Sequence, residues 1–267
     1  MRRRESNLFP ALIKHWRNRR GLSQLDLALA ADVSSRHVSF LETGRAQPSR
    51  EMILRLASAL SVPLRDQNAL LAAAGYPEAF PEPPVDESLT GPVGMVLDRM
   101  LAQHEPFPMV VVNRHYDVLR TNRGANALLA RLIADPTRLG APSNLFRMLF
   151  DPGLIRPFLV DWERVAKILI ARLHRESLER PSDTGLAALL RSLFEYPDVP
   201  RGWQEPDLSL PSEPCLTLRL RREELEVAFV TTMTVFSAPQ NVTLDELRIE
   251  SYFPLDEPSR RACERLV

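Results

Sequence analysis

Cysteine is nearly absent: Cys215 and Cys263 stand alone, with no CxxC spacing and no Cys/His cluster. That excludes a zinc site and a disulfide framework and leaves two thiols expected to be buried and inert. No apolar run approaches the ~20 residues needed to cross a bilayer. The start, Met1-Arg2-Arg3-Arg4-Glu5-Ser6-Asn7, is basic but lacks the apolar stretch of a signal peptide. The expectation is a cytoplasmic protein without a membrane partner. Also missing are HExxH, GxSxG, a phosphate-cradling Gly-rich loop and a His pair at metal spacing. Nothing therefore points to an enzyme, a metal or a cofactor.

What is present is an ordinary globular composition, 45% hydrophobic and 25% charged, over 267 residues, a length comfortable for two domains. The net charge of zero hides an asymmetry. Residues 1–76 carry 12 Lys and Arg against 6 Asp and Glu, whereas residues 77–267 carry 22 against 28. A basic first part joined to an acidic second part suggests that only the first meets a polyanion, although surface composition alone can produce the same split.

The first 76 residues form a run of short helical patterns with marked ends. Leu8, Leu12, Ile13 and Trp16 recur at helical spacing, and Arg17, Arg19 and Arg20 precede a stop at Gly21. Ser23 caps a second helix, with Asp26 placed to reach back. Ser34 caps a third, which Gly44 ends. Pro48-Ser49 opens a fourth carrying Met52, Ile53, Leu56, Ala57 and Leu60; Pro63 opens a fifth, closed by Gly75. Five helices in about 70 residues make a compact all-α domain over 1–76. Residues 77–93, with Pro77, Pro81, Pro83, Pro84 and Pro92, read as a semi-extended linker.

Residues 94–267 change character. Met109-Val112, a polar turn and Tyr116-Arg120 read as a hairpin, and Asn122 caps a helix bearing Ala125, Leu128, Leu129 and Leu132. Helical stretches follow near 143–150, 154–175 and 185–195. Leu216, Leu218 and Leu220, then Val227, Phe229 and Thr231, then Leu247, Ile249 and Phe253 keep a period of two, so three antiparallel strands close an α+β domain.

The segment from Ser23 to Glu42 has the make-up of a helix-turn-helix. Ala28 supplies the small residue at the crossing, and Leu27, Ala31, Val38 and Leu41 supply the shared apolar seam. The second helix of such a pair lies in the major groove with its N-terminal residues at base edges, which points Ser35, Arg36, Ser39 and Phe40 toward DNA. Arg36 is the best base reader, because its fork matches guanine O6 and N7. Ser34, Ser39 and Arg45 suit phosphates. His37 either faces a phosphate or packs. Phe40 either touches a thymine methyl or buries against Leu25 or Leu29, with packing the preferred reading. Arg2-Arg3-Arg4 is either a minor-groove arm or, by default, a solvated terminus.

With Ser-Gln, Leu-Ala, Val-Ser and Glu-x-Gly-x-x-x-Pro-Ser in register, residues 8–72 resemble the XRE family of phage-repressor and Cro-type regulators. The resemblance implies a lambda-repressor-like fold, duplex DNA as partner, and a DNA contact for Gln24 at the opening of the second helix. Where the family has Gly in the turn, this chain has Asp32, which tolerates the left-handed conformation better than most residues.

Further along, Ala72-Ala73-Ala74-Gly75-Tyr76, His104-Glu105-Pro106-Phe107-Pro108, Asn144-Leu145-Phe146-Arg147, Arg156-Pro157, Asp161-Trp162-Glu163 and Ala171-Arg172-Leu173-His174-Arg175-Glu176 occur in order. These resemble the MmyB-like ligand-binding domain over about residues 90–266. The resemblance implies a PAS-like fold and a small apolar, fatty-acid-like ligand; Arg114-His115-Tyr116 departs from the Asp-Arg-Trp often found at that turn. Phe107, Tyr116, Phe158 and Trp162 are candidate pocket aromatics, and Arg120, Arg147 or Arg172 a candidate carboxylate anchor, although core packing and surface ion pairs are the commoner fates of such residues. The combined expectation is a ligand-sensing regulator that binds a near-palindromic operator as a homodimer. Its rivals are a second domain that only dimerises or contacts a protein, and an enzyme fused to a DNA-binding domain.

Overall fold

A computed structural model describes residues 8–180, 183–207 and 215–267. The chain divides into two compact units: residues up to Glu87 together with Ser237–Asp245, and Ser88–Phe236 together with Glu246–Val267.

The N-terminal unit contains α1 (Leu8–Arg19), α2 (Gln24–Ala30), α3 (Ser35–Glu42), α4 (Arg50–Ala59) and α5 (Leu64–Ala73). The ends fall where the sequence marks them. Ser23 Oγ accepts from Asp26 N at 3.1 Å while the Asp26 carboxylate accepts from Ser23 N at 2.9 Å, a complete capping box. Ser34 and Ser49 cap α3 and α4 through His37 N and Met52 N. Asp32 takes φ +52°, as the turn between α2 and α3 requires, and Gly44 leaves α3 at φ +71°. Ile13, Leu27, Ala28, Val38, Leu41, Ile53, Leu56 and Leu70 fill the core.

The proline-rich stretch is not a free linker over its whole length. Buried Asn68 of α5 accepts from the Ala79 and Phe80 amides at 3.0 and 3.1 Å and donates to the Phe80 carbonyl at 2.6 Å, which straps the stretch to the helix. A short α6 (Val85–Ser88) follows, and Pro92 occupies the first turn of α7 (Gly91–Gln103), where its missing N–H costs nothing. The connection that includes α12 (Val242–Asp245) also belongs to this unit. Pro63 offers α5 no side-chain cap, and Asp245 supplies one from 181 residues away by accepting from Leu64 N at 3.0 Å.

In the second unit, β1 (Met109–Val112), β2 (Val118–Thr121), β3 (Leu216–Arg222), β4 (Leu225–Thr234) and β5 (Arg248–Pro254) form a five-stranded sheet in the order β2-β1-β5-β4-β3, each pairing antiparallel. The hairpin and the closing meander are thus one sheet, joined through β1 and β5. Around it lie α7, α8 (Arg123–Leu132), α9 (Leu145–Phe150), α10 (Trp162–Glu179), α11 (Thr184–Leu193) and α13 (Glu257–Leu266).

Two expectations need correction. Helix through 154–161 is replaced by a 3-10 turn at Arg156–Phe158 and a bridge from Leu159 to Leu220, and α10 starts only at Trp162. Pro157 cannot continue an α-helix, and the extended residues after it pair with β3 instead. The beat of β5 is the second. Register places Tyr252 beside Thr231 and Glu250 beside Met233, so these even residues share the face of Phe229, while Phe253 is 42% exposed. The inward carboxylate of Glu250 survives there because Arg172, Thr231 and Arg248 surround it, although burial still pushes its titration upward.

Candidate nucleic-acid interface and ligand cavity

α3 is held from behind by a buried ion pair. Arg17 Nε and Nη2 meet Glu42 Oε1 and Oε2 at 2.6 and 3.0 Å, and Arg17 Nη1 donates to the Leu22 carbonyl at 2.7 Å. Gln24 donates to the same carboxylate at 2.8 Å. Burial pushes Glu42 up, but the hydrogen bonds from Arg17 and Gln24 and the charge of Arg17 outweigh it, so the carboxyl titrates below its ordinary value. The network ties α1, the opening of α2 and the end of α3 together. The signal for it was in the sequence: Arg17 lies four residues after Ile13, and Glu42 four after Val38, so each charge falls on the apolar face of its helix.

The opposite face of α3 is open. Ser34, Ser35, Arg36 and Arg45 are exposed, while His37, Ser39 and Phe40 are half-buried. Phe40 does not bury Leu25 and Leu29, which remain 58% and 73% exposed. Its ring instead carries the Arg36 guanidinium, 5.2 Å from the centroid one helical turn away. That contact holds Arg36 along the outer face of the helix. Arg45 N donates to the Phe40 carbonyl at 2.8 Å, fixing the turn that presents the Arg45 side chain. Gln24, the residue expected to touch DNA at the opening of α2, is engaged with Glu42.

The ligand candidates scatter. Tyr116 is fully buried, donates to Glu176 Oε1 at 2.6 Å, and lies under the Arg248 guanidinium, which itself binds Glu176 at 3.0 and 3.1 Å. Arg172 acts electrostatically on Tyr116, Glu250 and Tyr252 in the same polar cluster. Trp162 donates to the Leu149 carbonyl at 2.9 Å beneath Arg156, and Phe158 lies beneath Arg222. Phe107 meets the His104 ring edge-on at 6.0 Å. Arg120 is taken up by Asp98 and the Leu89 carbonyl.

None of the seven ligand candidates, four aromatic residues and three arginines, lines the apolar space of this unit. That space, about 50 Å³, lies between the sheet and α8–α9 and is bounded by Leu128, Leu132, Met148, Ile155, Leu218 and Leu220 among others. Broader depressions beside Thr90 and Arg99 (about 590 Å³) and beside His174 and Trp203 (about 300 Å³) are open and more polar. The small space has the most apolar walls of the three. Cys263 is buried, and burial pushes its thiol up to about 11, whereas Cys215 is only half-buried.

A capped recognition helix on a basic five-helix unit, joined to an α+β unit, defines a ligand-regulated DNA-binding transcription regulator. Residues 93–266 match the family described as MmyB-like transcription regulator ligand binding domain, and residues 13–67 match the family described as helix-turn-helix. The chain belongs to the MmyB-like transcription regulators, a family of regulators rather than enzymes. No curated protein matches it. Among the described residues no helix is long and apolar enough to cross a membrane.

Proposed function

We propose that α3 enters the major groove of duplex DNA and reads its operator chiefly through Arg36, and that the second unit regulates this binding by taking a fatty-acid-like ligand. The observation that carries the first part is the outward face of α3: a capped helix whose Ser35 and Arg36 are exposed, with Arg36 steadied on Phe40. Arg36 pairs with guanine O6 and N7. Ser35 and Ser39 approach neighbouring base edges, and Ser34 and Arg45 contact phosphates on either side, with His37 near the backbone. A homodimer places two such helices about one helical turn apart on a near-palindrome. The ligand part rests on the aliphatic cavity between the sheet and α8–α9. Ligand binding shifts the dimer toward the geometry for which the ligand has the higher affinity.

Arg45→Ala tests the phosphate role. Affinity for all duplexes should fall together, and the slope of log K against log salt should shrink by about 1. A loss confined to one sequence would make Arg45 a base reader instead. Native mass spectrometry of the purified chain tests the ligand: a bound acid of fatty-acid mass supports the sensor. A tight, empty dimer favours a second unit that only dimerises.

A further inference from the structure

β3 ends on Arg222, and the groups this side chain touches lie close along the chain to residues that line the apolar cavity. Leu218, Leu220 and Arg222 follow one another at the two-residue spacing that keeps side chains on one face, and both leucines line the space. Arg222 Nη1 donates to the carbonyls of Arg131 and Ile133 at 2.9 and 3.2 Å, at the end of α8, whose Leu128 and Leu132 line the same space. The guanidinium lies 4.6 Å from the centroid of Phe158, in the turn that follows the lining residue Ile155. One half-buried cation therefore joins three of the elements that enclose the cavity. It sits over a ring, and one of its three nitrogens is engaged. Among the described residues, none forms a hydrogen bond or an ion pair with Nε or Nη2.

We propose that Arg222 is the carboxylate anchor of the ligand site, with the open Nε–Nη2 edge taking both oxygens of an apolar acid whose chain enters the cavity. The inference rests on the fatty-acid-like reading given above and adds where the charged end sits. A guanidinium held over a ring and by one of its nitrogens has already given up much of its rotamer freedom, so a planar carboxylate meets a preorganised fork. Two neutral carbonyls on Nη1 leave the positive charge uncompensated, and a carboxylate supplies the missing anion. The chain must widen the cavity, because 50 Å³ is far below the ~300 Å³ of ordinary ligand pockets. Apart from Tyr252 the walls are aliphatic side chains, including the adaptable Met148, which can repack around such a chain. The charge comes from one residue and the capacity from the others, so the two can be separated.

The test is calorimetric titration of the full chain with dodecanoic acid and with dodecan-1-ol. The wild type should bind the acid about 10-fold tighter than the alcohol, the order expected of a bidentate, charge-assisted pair. Arg222→Met, which keeps an apolar stem over Phe158, should remove that preference and leave alcohol binding unchanged. Arg222→Lys, which keeps the charge but not the fork, should retain only part of it and guards against a folding defect in the first variant. A preference that survives in Arg222→Met overturns the anchor while leaving the apolar-ligand reading standing; so does a wild type that binds both compounds equally. A wild type that binds neither overturns both.

Discussion

Replacing Arg17 with alanine should lower the stability of the N-terminal unit by about 3 kcal/mol, the low end of the range for breaking a buried ion pair from one side. Arg17 and Glu42 are both buried, and removing the guanidinium leaves a buried carboxylate with the Gln24 hydrogen bond and the more distant charge of Lys14. Hydrogen exchange over α1–α3 in the full chain reads this as roughly a hundred-fold loss of protection. The pH dependence has a fixed sign. Glu42 titrates below its ordinary value of 4.5 in the folded unit. Its contribution is therefore complete above that value and fades as pH falls through the depressed folded titration. Glu42→Gln should weaken the unit at neutral pH and flatten its response to acid. Protection that is unchanged in Arg17→Ala would mean that the apolar seam alone positions α3.

Arg36→Ala should weaken binding to the preferred operator by about 1–3 kcal/mol, or roughly 5- to 150-fold, and binding to random duplex by far less. The two losses separate because a bidentate contact to guanine exists only at the right base, whereas a phosphate is present at every step. Stacking on Phe40 predicts a graded companion. Phe40→Ala keeps the guanidinium but frees it, with an expected loss of about 0.5–1 kcal/mol, the worth of an exposed cation–π contact. Gel-shift titrations against operator and random competitor measure both. Equal losses on the two duplexes for Arg36→Ala would reduce the residue to a phosphate contact.

The helical unit was legible because each of its signals is local. Ser23, Ser34 and Ser49 precede apolar residues at helical spacing, and caps act within three residues of themselves. Asp32 at positive φ was legible through the resemblance to a family that has Gly at that turn. What escaped depends on residues far apart in the chain. Arg17 stands in sequence among the basic residues before Gly21, and although its place on the apolar face of α1 marks it as unusual, nothing near it names Glu42, 25 residues on, as its partner. Asn68 holds the proline-rich stretch by three hydrogen bonds that composition cannot show. In β5, alternation misled because the strand is central and covered on both faces, so Ile249, Glu250, Ser251 and Tyr252 are all buried in succession. The ligand candidates followed aromatic size, yet the large rings were used for packing and for seating arginines. The cavity is lined by leucines that look like any other core, and Arg222 reads as a surface residue until its partners on α8 are known.

Methylation interference is the most direct measurement of the central claim, that α3 reads bases from the major groove. Duplexes recovered from genomic fragments by the full chain are methylated sparsely at guanine N7, and the bound and free fractions are compared. Interference should fall at one or two guanines in each half-site, about 10 base pairs apart, and should vanish with Arg36→Ala. Binding indifferent to N7 methylation, or inhibited only by methylation of adenine N3 in the minor groove, would contradict it.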